Sequence, residues 1–200
     1  MPTKKTYHKE DLRGDLLAAG RAWVEAHGHL GLSIRTLAQQ VGVSPGAPYH
    51  HFPDRRALLL ALAMEGFADM LAQSGAAVAA AGDPLARLRA LGMVFVTFAK
   101  EHPHLVDLMY ESELTTPAID PALLEFQIAA HEMLRGAVNA ACPGIAADEA
   151  RLRSIAYWSA IYGFASMVRK GVIRPSRAIP AADNLGEAVV ERALRAAITD

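Results

Sequence analysis

The sequence predicts an all-α protein, and three observations predict it. Apolar residues recur at spacings of three and four along nearly the whole chain, no stretch alternates convincingly with period two, and Pro, Gly or Asp stands where the apolar stripes stop. The expected architecture is a small head of three helices over residues 1–53, joined to a larger helical body over residues 54–200.

Leu12, Leu16, Ala19 and Trp23 mark one face of a first helix ending near Gly28. Ser33 suits the N-cap of a short helix to Val41, with Ile34, Leu37, Ala38 and Val41 facing inward. Asp54 is placed to cap a long helix through Leu58, Leu62 and Met70 towards Ala80, closed by Gly82-Asp83-Pro84. Leu85, Leu88, Leu91, Phe95 and Phe98 form the next stripe, which Pro103 breaks, and a short helix is expected from His104 to Tyr110. Asp120 before Pro121 reads as a cap followed by proline at the first helical position, opening a helix to about Ala141 that stops at Cys142-Pro143-Gly144. Asp148 to Gly171 is a further long helix, with Ile155, Trp158, Tyr162 and Ala165 along one face. Pro175 and Pro180 make 172–182 a loop, and Asp183 is expected to cap a last helix to about Thr199.

Composition narrows the function classes. With 52% apolar and 20% charged residues among 200, the chain has the balance of a folded domain with a substantial core. Cys142 is the only cysteine, which excludes a disulfide framework and a cysteine-based zinc site. The opening MPTKKTYHKEDLRGD lacks the apolar region of a signal peptide, and the run from Ala57 to Met64 is too short to span a bilayer. The expectation is a cytoplasmic protein without a membrane partner. Eight histidines invite a metal reading, yet His27/His29, His50/His51 and His102/His104 have no carboxylate or cysteine at ligand spacing, so neither metal nor cofactor is expected. No phosphate-binding glycine loop is present and nothing marks a nucleophile pair, so the chain does not read as an enzyme. The charge is uneven: residues 1–60 carry eight Lys and Arg against five Asp and Glu, on an acidic remainder. A basic head suits a polyanion, although such an excess is also common on ordinary surfaces.

Two helices that cross steeply through a tight turn need a small residue at the contact and one tolerant of left-handed backbone in the turn. Ala38 and Gly42 supply these, with Leu37, Val41 and Val43 wedging the helices apart from inside. Ser44 would then cap a second helix with Pro45 at its first position. This is helix-turn-helix spacing, and it would place that second helix in the major groove of DNA. Pro48 keeps an irregular loop open as the alternative, because it lacks the N–H that should bond back to the Ser44 carbonyl.

Ser33-Ile34-Arg35-Thr36-Leu37-Ala38-Gln39-Gln40-Val41-Gly42-Val43-Ser44, followed by Tyr49-His50-His51-Phe52-Pro53-Asp54-Arg55-Arg56-Ala57-Leu58-Leu59, resembles the DNA-binding domain of the TetR family. The likeness is continuous from about Asp11 to Leu62. Trp158-Ser159-Ala160-Ile161-Tyr162-Gly163 resembles the Trp-x-x-x-His-Gly pattern of one subgroup, with Tyr162 in the histidine's place. The resemblance implies that Tyr49 and Arg55 anchor phosphates, that Arg35 and Thr36 meet the DNA backbone, and that Ser44, Gly46, Ala47 and His50 face the groove. It also implies a homodimer through the last two helices, a pseudo-palindromic double-stranded DNA operator, and a small-molecule effector that releases the repressor. Phe95, Phe98, Met109, Tyr110, Phe126, Met133, Trp158 and Tyr162 offer lining for an apolar ligand cavity, and equally suit an ordinary core. A helical carrier or enzyme with a vestigial head is the alternative from another class.

Overall fold

The structure is a computed structural model and describes residues 11–173 and 182–199, without the side chains of 182–184. The basic residues Lys4, Lys5 and Lys9 and the loop prolines Pro175 and Pro180 lie outside the described residues, and the last helix already begins at Ala182, so Asp183 stands within it rather than at its cap. The described residues form α1 (Leu12–His27), α2 (Ile34–Val41), a 3₁₀ turn (Ala47–His50), α3 (Arg55–Ala80), α4 (Pro84–Glu101), α5 (Pro103–Tyr110), α6 (Pro121–Ala141), α7 (Ala147–Arg169) and α8 (Ala182–Ile198). No strand occurs among them.

Caps set the helix starts. The side chain of Asp11 accepts from Gly14 N at 2.9 Å, Asp54 from Ala57 N at 2.8 Å, and Asp83 from Ala86 N at 2.9 Å with Pro84 behind it. α7 opens at Ala147 with no side-chain cap; Asp148 and Glu149 sit instead in its first turn, where the helix dipole favours negative charge.

The chain divides into two compact units: residues up to Glu65 with His104–Asp120, and Gly66–Pro103 with the chain from Pro121 onward. The first unit thus takes in the start of α3 and a later stretch of chain besides the residues up to 53. α3 contributes Leu58, Leu59, Leu62 and Ala63 to the core before Glu65, and the chain returns to the first unit through most of α5 and the loop after it.

In the first unit, α1 buries Leu16, Leu17, Gly20 and Val24. That face is rotated from the expected stripe, and Trp23 is only half-buried, its ring tilted against His27 at 4.6 Å between centroids. Gly20 is the reason. A Cβ there would lie 3.1 Å from Leu62 Cδ1 and 3.4 Å from Leu37 Cδ1, so the glycine, rather than Ala19, lets α1 approach α2 and α3. α3 has an 18-residue window of mean hydropathy 1.3, enough by length and composition to cross a membrane. The apolar run from Ala57 to Met64 understates that hydropathy, but α3 carries Glu65 and Asp69 midway and buries Leu58, Leu62 and Phe67, as a core helix does.

In the second unit, α4, α6, α7 and α8 pack around Leu88, Phe95, Tyr157, Ile161 and Val190. Tyr157 Oη donates to the Leu88 carbonyl at 2.7 Å, and burial pushes that phenol's pKa well up. The exposed Arg89–Glu191 ion pair joins α4 to α8 and lowers the carboxyl's pKa, chiefly through the hydrogen bond.

Candidate nucleic-acid interface

Ser33 Oγ accepts from Thr36 N at 3.1 Å and opens α2; Ile34, Leu37 and Ala38 are buried beneath it. Gly42 ends the helix in the left-handed region, φ 80° and ψ 28°, its N–H donating to Ala38 O. Both positions match the turn chemistry read from the sequence.

The next segment corrects it. Ser44 does not cap an α-helix. Residues 47–50 form a 3₁₀ turn, Gly46 stands in the capping position, and no side chain caps it. Pro48 supplies the reason. An α-helix starting after Ser44 would need the Pro48 N–H to reach Ser44 O, and proline has none. Ser44 O takes the Ala47 N–H at 3.1 Å instead, and Gly46 O takes Tyr49 N at 3.3 Å, both bonds spanning three residues. Only Phe52 N to Pro48 O, at 2.9 Å, spans four. Pro48 and Phe52 are buried, with Arg13 stacked 5.5 Å over the Phe52 ring.

The turn therefore presents its outer side chains on a short, tightly wound stub. Ser44, Gly46, Tyr49 and His50 are exposed, Tyr49 to 52%, and Ala47 is half-buried. His51, absent from the expected set of contacts, is exposed as well. Arg35 is exposed on the first turn of α2; Thr36 is half-buried, its Oγ1 2.7 Å from Ser33 Oγ. These residues share one stretch of surface chain, with hydrogen-bonding tips on Arg35, Ser44, Tyr49, His50 and His51.

Arg55 is placed differently from an open phosphate anchor. Its Nε donates to Leu32 O at 2.8 Å, Nη2 to His29 O at 2.6 Å and Nη1 to Glu113 Oε1 at 2.6 Å. One guanidinium thus ties the α1–α2 loop, the start of α3 and the loop after α5. Arg56 repeats the pattern farther out, donating to the Glu113 carbonyl at 2.7 Å and to Asp120 Oδ2 at 3.0 Å. His29 is buried behind this cluster; burial first, and the Arg55 charge second, lower its pKa. The pairing of Glu113 and Asp120 with these arginines was invisible to sequence reasoning, because they meet α3 from more than fifty residues downstream and no local periodicity marks the contact.

Of the aromatic and methionine residues offered as ligand lining, three are in ring contact on α4 and α7. Phe95, Trp158 and Tyr162 do come together, with Phe95–Trp158 centroids at 4.5 Å and Trp158–Tyr162 at 5.7 Å. Phe98 is fully buried against His102, Phe126 stacks on Phe67, and Met133 is half-buried on α6. Met109, fully buried, and half-buried Tyr110 belong to the first unit. On α7, Tyr157, Ile161 and Phe164 are buried, while Leu152, Ile155, Ala156, Ser159 and Ala160 lie exposed at helical spacing. Gly163, half-buried, follows them with nothing within 4 Å of where a Cβ would stand.

Residues 16–62 match the family described as "Bacterial regulatory proteins, tetR family", and residues 88–196 match "Tetracyclin repressor-like, C-terminal domain". The HTH-type transcriptional repressor AcnR of Corynebacterium diphtheriae is 36% identical over 78 residues, which cover 38% of this chain and 41% of that protein. The HTH-type transcriptional repressor KstR2 of Mycobacterium tuberculosis is 32% identical over 110 residues, 54% of each chain. The chain thus spans about half the length of the curated relatives it matches. A solved structure of a protein of unknown function from Rhodococcus sp. RHA1 is 31% identical with a TM-score of 0.80, covering 97% of both chains.

Proposed function

The chain belongs to the TetR family of bacterial regulatory proteins, and on that premise we propose that it is a cytoplasmic, dimeric transcriptional repressor released from its operator by a small molecule. The observation that carries the reading is the head itself: a capped α2 with Arg35 exposed on its first turn, left-handed Gly42, and a following turn that exposes Tyr49, His50 and His51. Tyr49 and Arg35 would hold phosphates and fix register. His50, with the longest polar reach on the groove face, would read base edges, and Ser44, Gly46 and Ala47 would allow close approach. So small a reading surface favours operators distinguished partly by DNA shape.

Self-association has its own support. An α7 face of Leu152, Ile155, Ala156, Ser159 and Ala160 is exposed at helical spacing on a single chain, half-buried Gly163 continues it, and the small residues would allow close helix approach. A two-fold dimer through α7 and α8 covers that face and sets two heads on half-sites about 34–36 Å apart, or a multiple of this. The effector site belongs to the body; Phe95, Trp158 and Tyr162 are its best-supported lining, because they cluster. The effector shifts DNA affinity only by its differential affinity for the bound and free states. No catalytic step is part of this reading.

The test is selection of bound duplexes from a random DNA pool. A pseudo-palindromic consensus is expected, bound less tightly as salt rises. Tyr49→Ala should weaken all sequences alike, and His50→Ala should relax preference at particular positions. A pool from which nothing is enriched overturns the assignment in favour of a carrier or enzyme.

A further inference from the structure

We propose that residues 104–120 act as an internal competitor for DNA: Glu113 and Asp120 occupy the two arginines that open α3 and so lower the head's affinity for phosphate. The inference rests on the DNA-binding reading above.

Charge supplies the first support. Residues 1–65 carry eight Lys and Arg against six Asp and Glu, a slightly basic head. The stretch 104–120 contains Asp107, Glu111, Glu113 and Asp120 and no Lys or Arg. It belongs to the same compact unit, which is acidic once the stretch is included. A nucleic-acid-binding unit made acidic by a segment of its own fold is held back electrostatically.

Geometry supplies the second. Glu113 Oε1 lies 2.6 Å from Arg55 Nη1, and Asp120 Oδ2 lies 3.0 Å from Arg56 Nη2. Carboxylate and phosphate present the same acceptors to a guanidinium, so these oxygens stand where phosphate oxygens would bind. The Arg55 guanidinium also donates to Leu32 O, the carbonyl that precedes Ser33 at the α2 cap. The Glu113 charge is therefore one guanidinium's width from the start of the helix that carries Arg35. Charges separated by less than the Debye length, about 8–10 Å in physiological salt, are not fully screened from one another. Glu113 thus repels a phosphate docking at the α2 terminus even while Arg55 keeps its carbonyl contacts.

Glu113→Gln and Asp120→Asn test this, because an amide oxygen still accepts from the arginine while the charge is gone. Dissociation constants for the full chain and each variant are measured on a selected duplex and on a random-sequence duplex, over about 0.05–0.2 M salt. Each variant should bind both duplexes about two- to fivefold tighter at the low-salt end. The salt slope should steepen by up to about 0.9 for each arginine freed to a phosphate, and the double variant should exceed either single. Unchanged or weaker binding by variants that keep the wild-type unfolding midpoint overturns the inference and leaves the carboxylates as positioning residues. If Glu113→Gln loses stability, Asp120→Asn on the more exposed Arg56 carries the test. Wild-type binding without tightening overturns this inference alone. No duplex bound by any form overturns the DNA reading beneath it, and binding by the variants only supports both.

Discussion

Arg55→Ala separates a structural clamp from a phosphate anchor. In the structure the substitution deletes bonds to Leu32 O, His29 O and Glu113 Oε1. Hydrogen bonds from charged groups contribute about 1.5–3 kcal/mol when well shielded. The Arg55 side chain remains 30% exposed, so each carbonyl bond is better taken near ~1 kcal/mol, and the pair with half-exposed Glu113 at about 0.2–1 kcal/mol. His29 O keeps its bond from Leu32 N at 3.2 Å, which limits the loss there. The sum is a destabilisation of roughly 2–3 kcal/mol. Arg56→Ala should cost less than about 1 kcal/mol, because that side chain is 46% exposed and makes only peripheral contacts. Urea unfolding of both variants, read as midpoints at unchanged slope, measures the difference. Arg55→Lys should recover only part of the loss, since one ammonium does not span three acceptors on two segments. If Arg55→Ala leaves stability within about 0.5 kcal/mol of wild type while weakening DNA binding, the clamp is wrong and the guanidinium serves DNA directly.

The remaining predictions concern packing and pH. At Gly92 a Cβ would lie 2.4 Å from Tyr157 Oη and 2.8 Å from Ile161 Cδ1, so overpacking of about 1–3 kcal/mol plus a strained Tyr157–Leu88 bond outweighs a helix-propensity gain of about 1 kcal/mol. Gly92→Ala should destabilise, and Tyr157→Phe should be less harmful in that background than in wild type, as a double-mutant cycle will read. Gly136, also inside a helix but with open space around its would-be Cβ, is the contrast: Gly136→Ala should stabilise by up to about 1 kcal/mol. His29 has its pKa lowered in the fold, so the unfolded chain binds its proton more readily. Stability should be fully present above the unfolded value of 6.5 and decline as pH falls through it towards the folded pKa. His29→Gln should remove that component from the unfolding midpoints measured across this window, and an unchanged profile would show that other groups govern it.

Sequence by itself determined the all-α class, the helix starts at Ser33 and Asp54, and the left-handed turn at Gly42. These are local effects: a cap oxygen reaches N–H groups three residues away, and glycine tolerates its own backbone angle whatever surrounds it. Pro48 was legible in part. Its missing N–H signalled a disturbed entry, but that four residues would settle as a 3₁₀ turn followed from which carbonyls remained in reach. Tertiary structure alone decided the rest. It turned α1 so that Gly20 rather than Ala19 meets Leu62, since the closest approach of helices depends on the partner's side chains. It brought 104–120 into the head and set Glu113 and Asp120 on Arg55 and Arg56. Ion pairs formed across so much intervening chain obey no period, so only the folded chain could show that these arginines are already held.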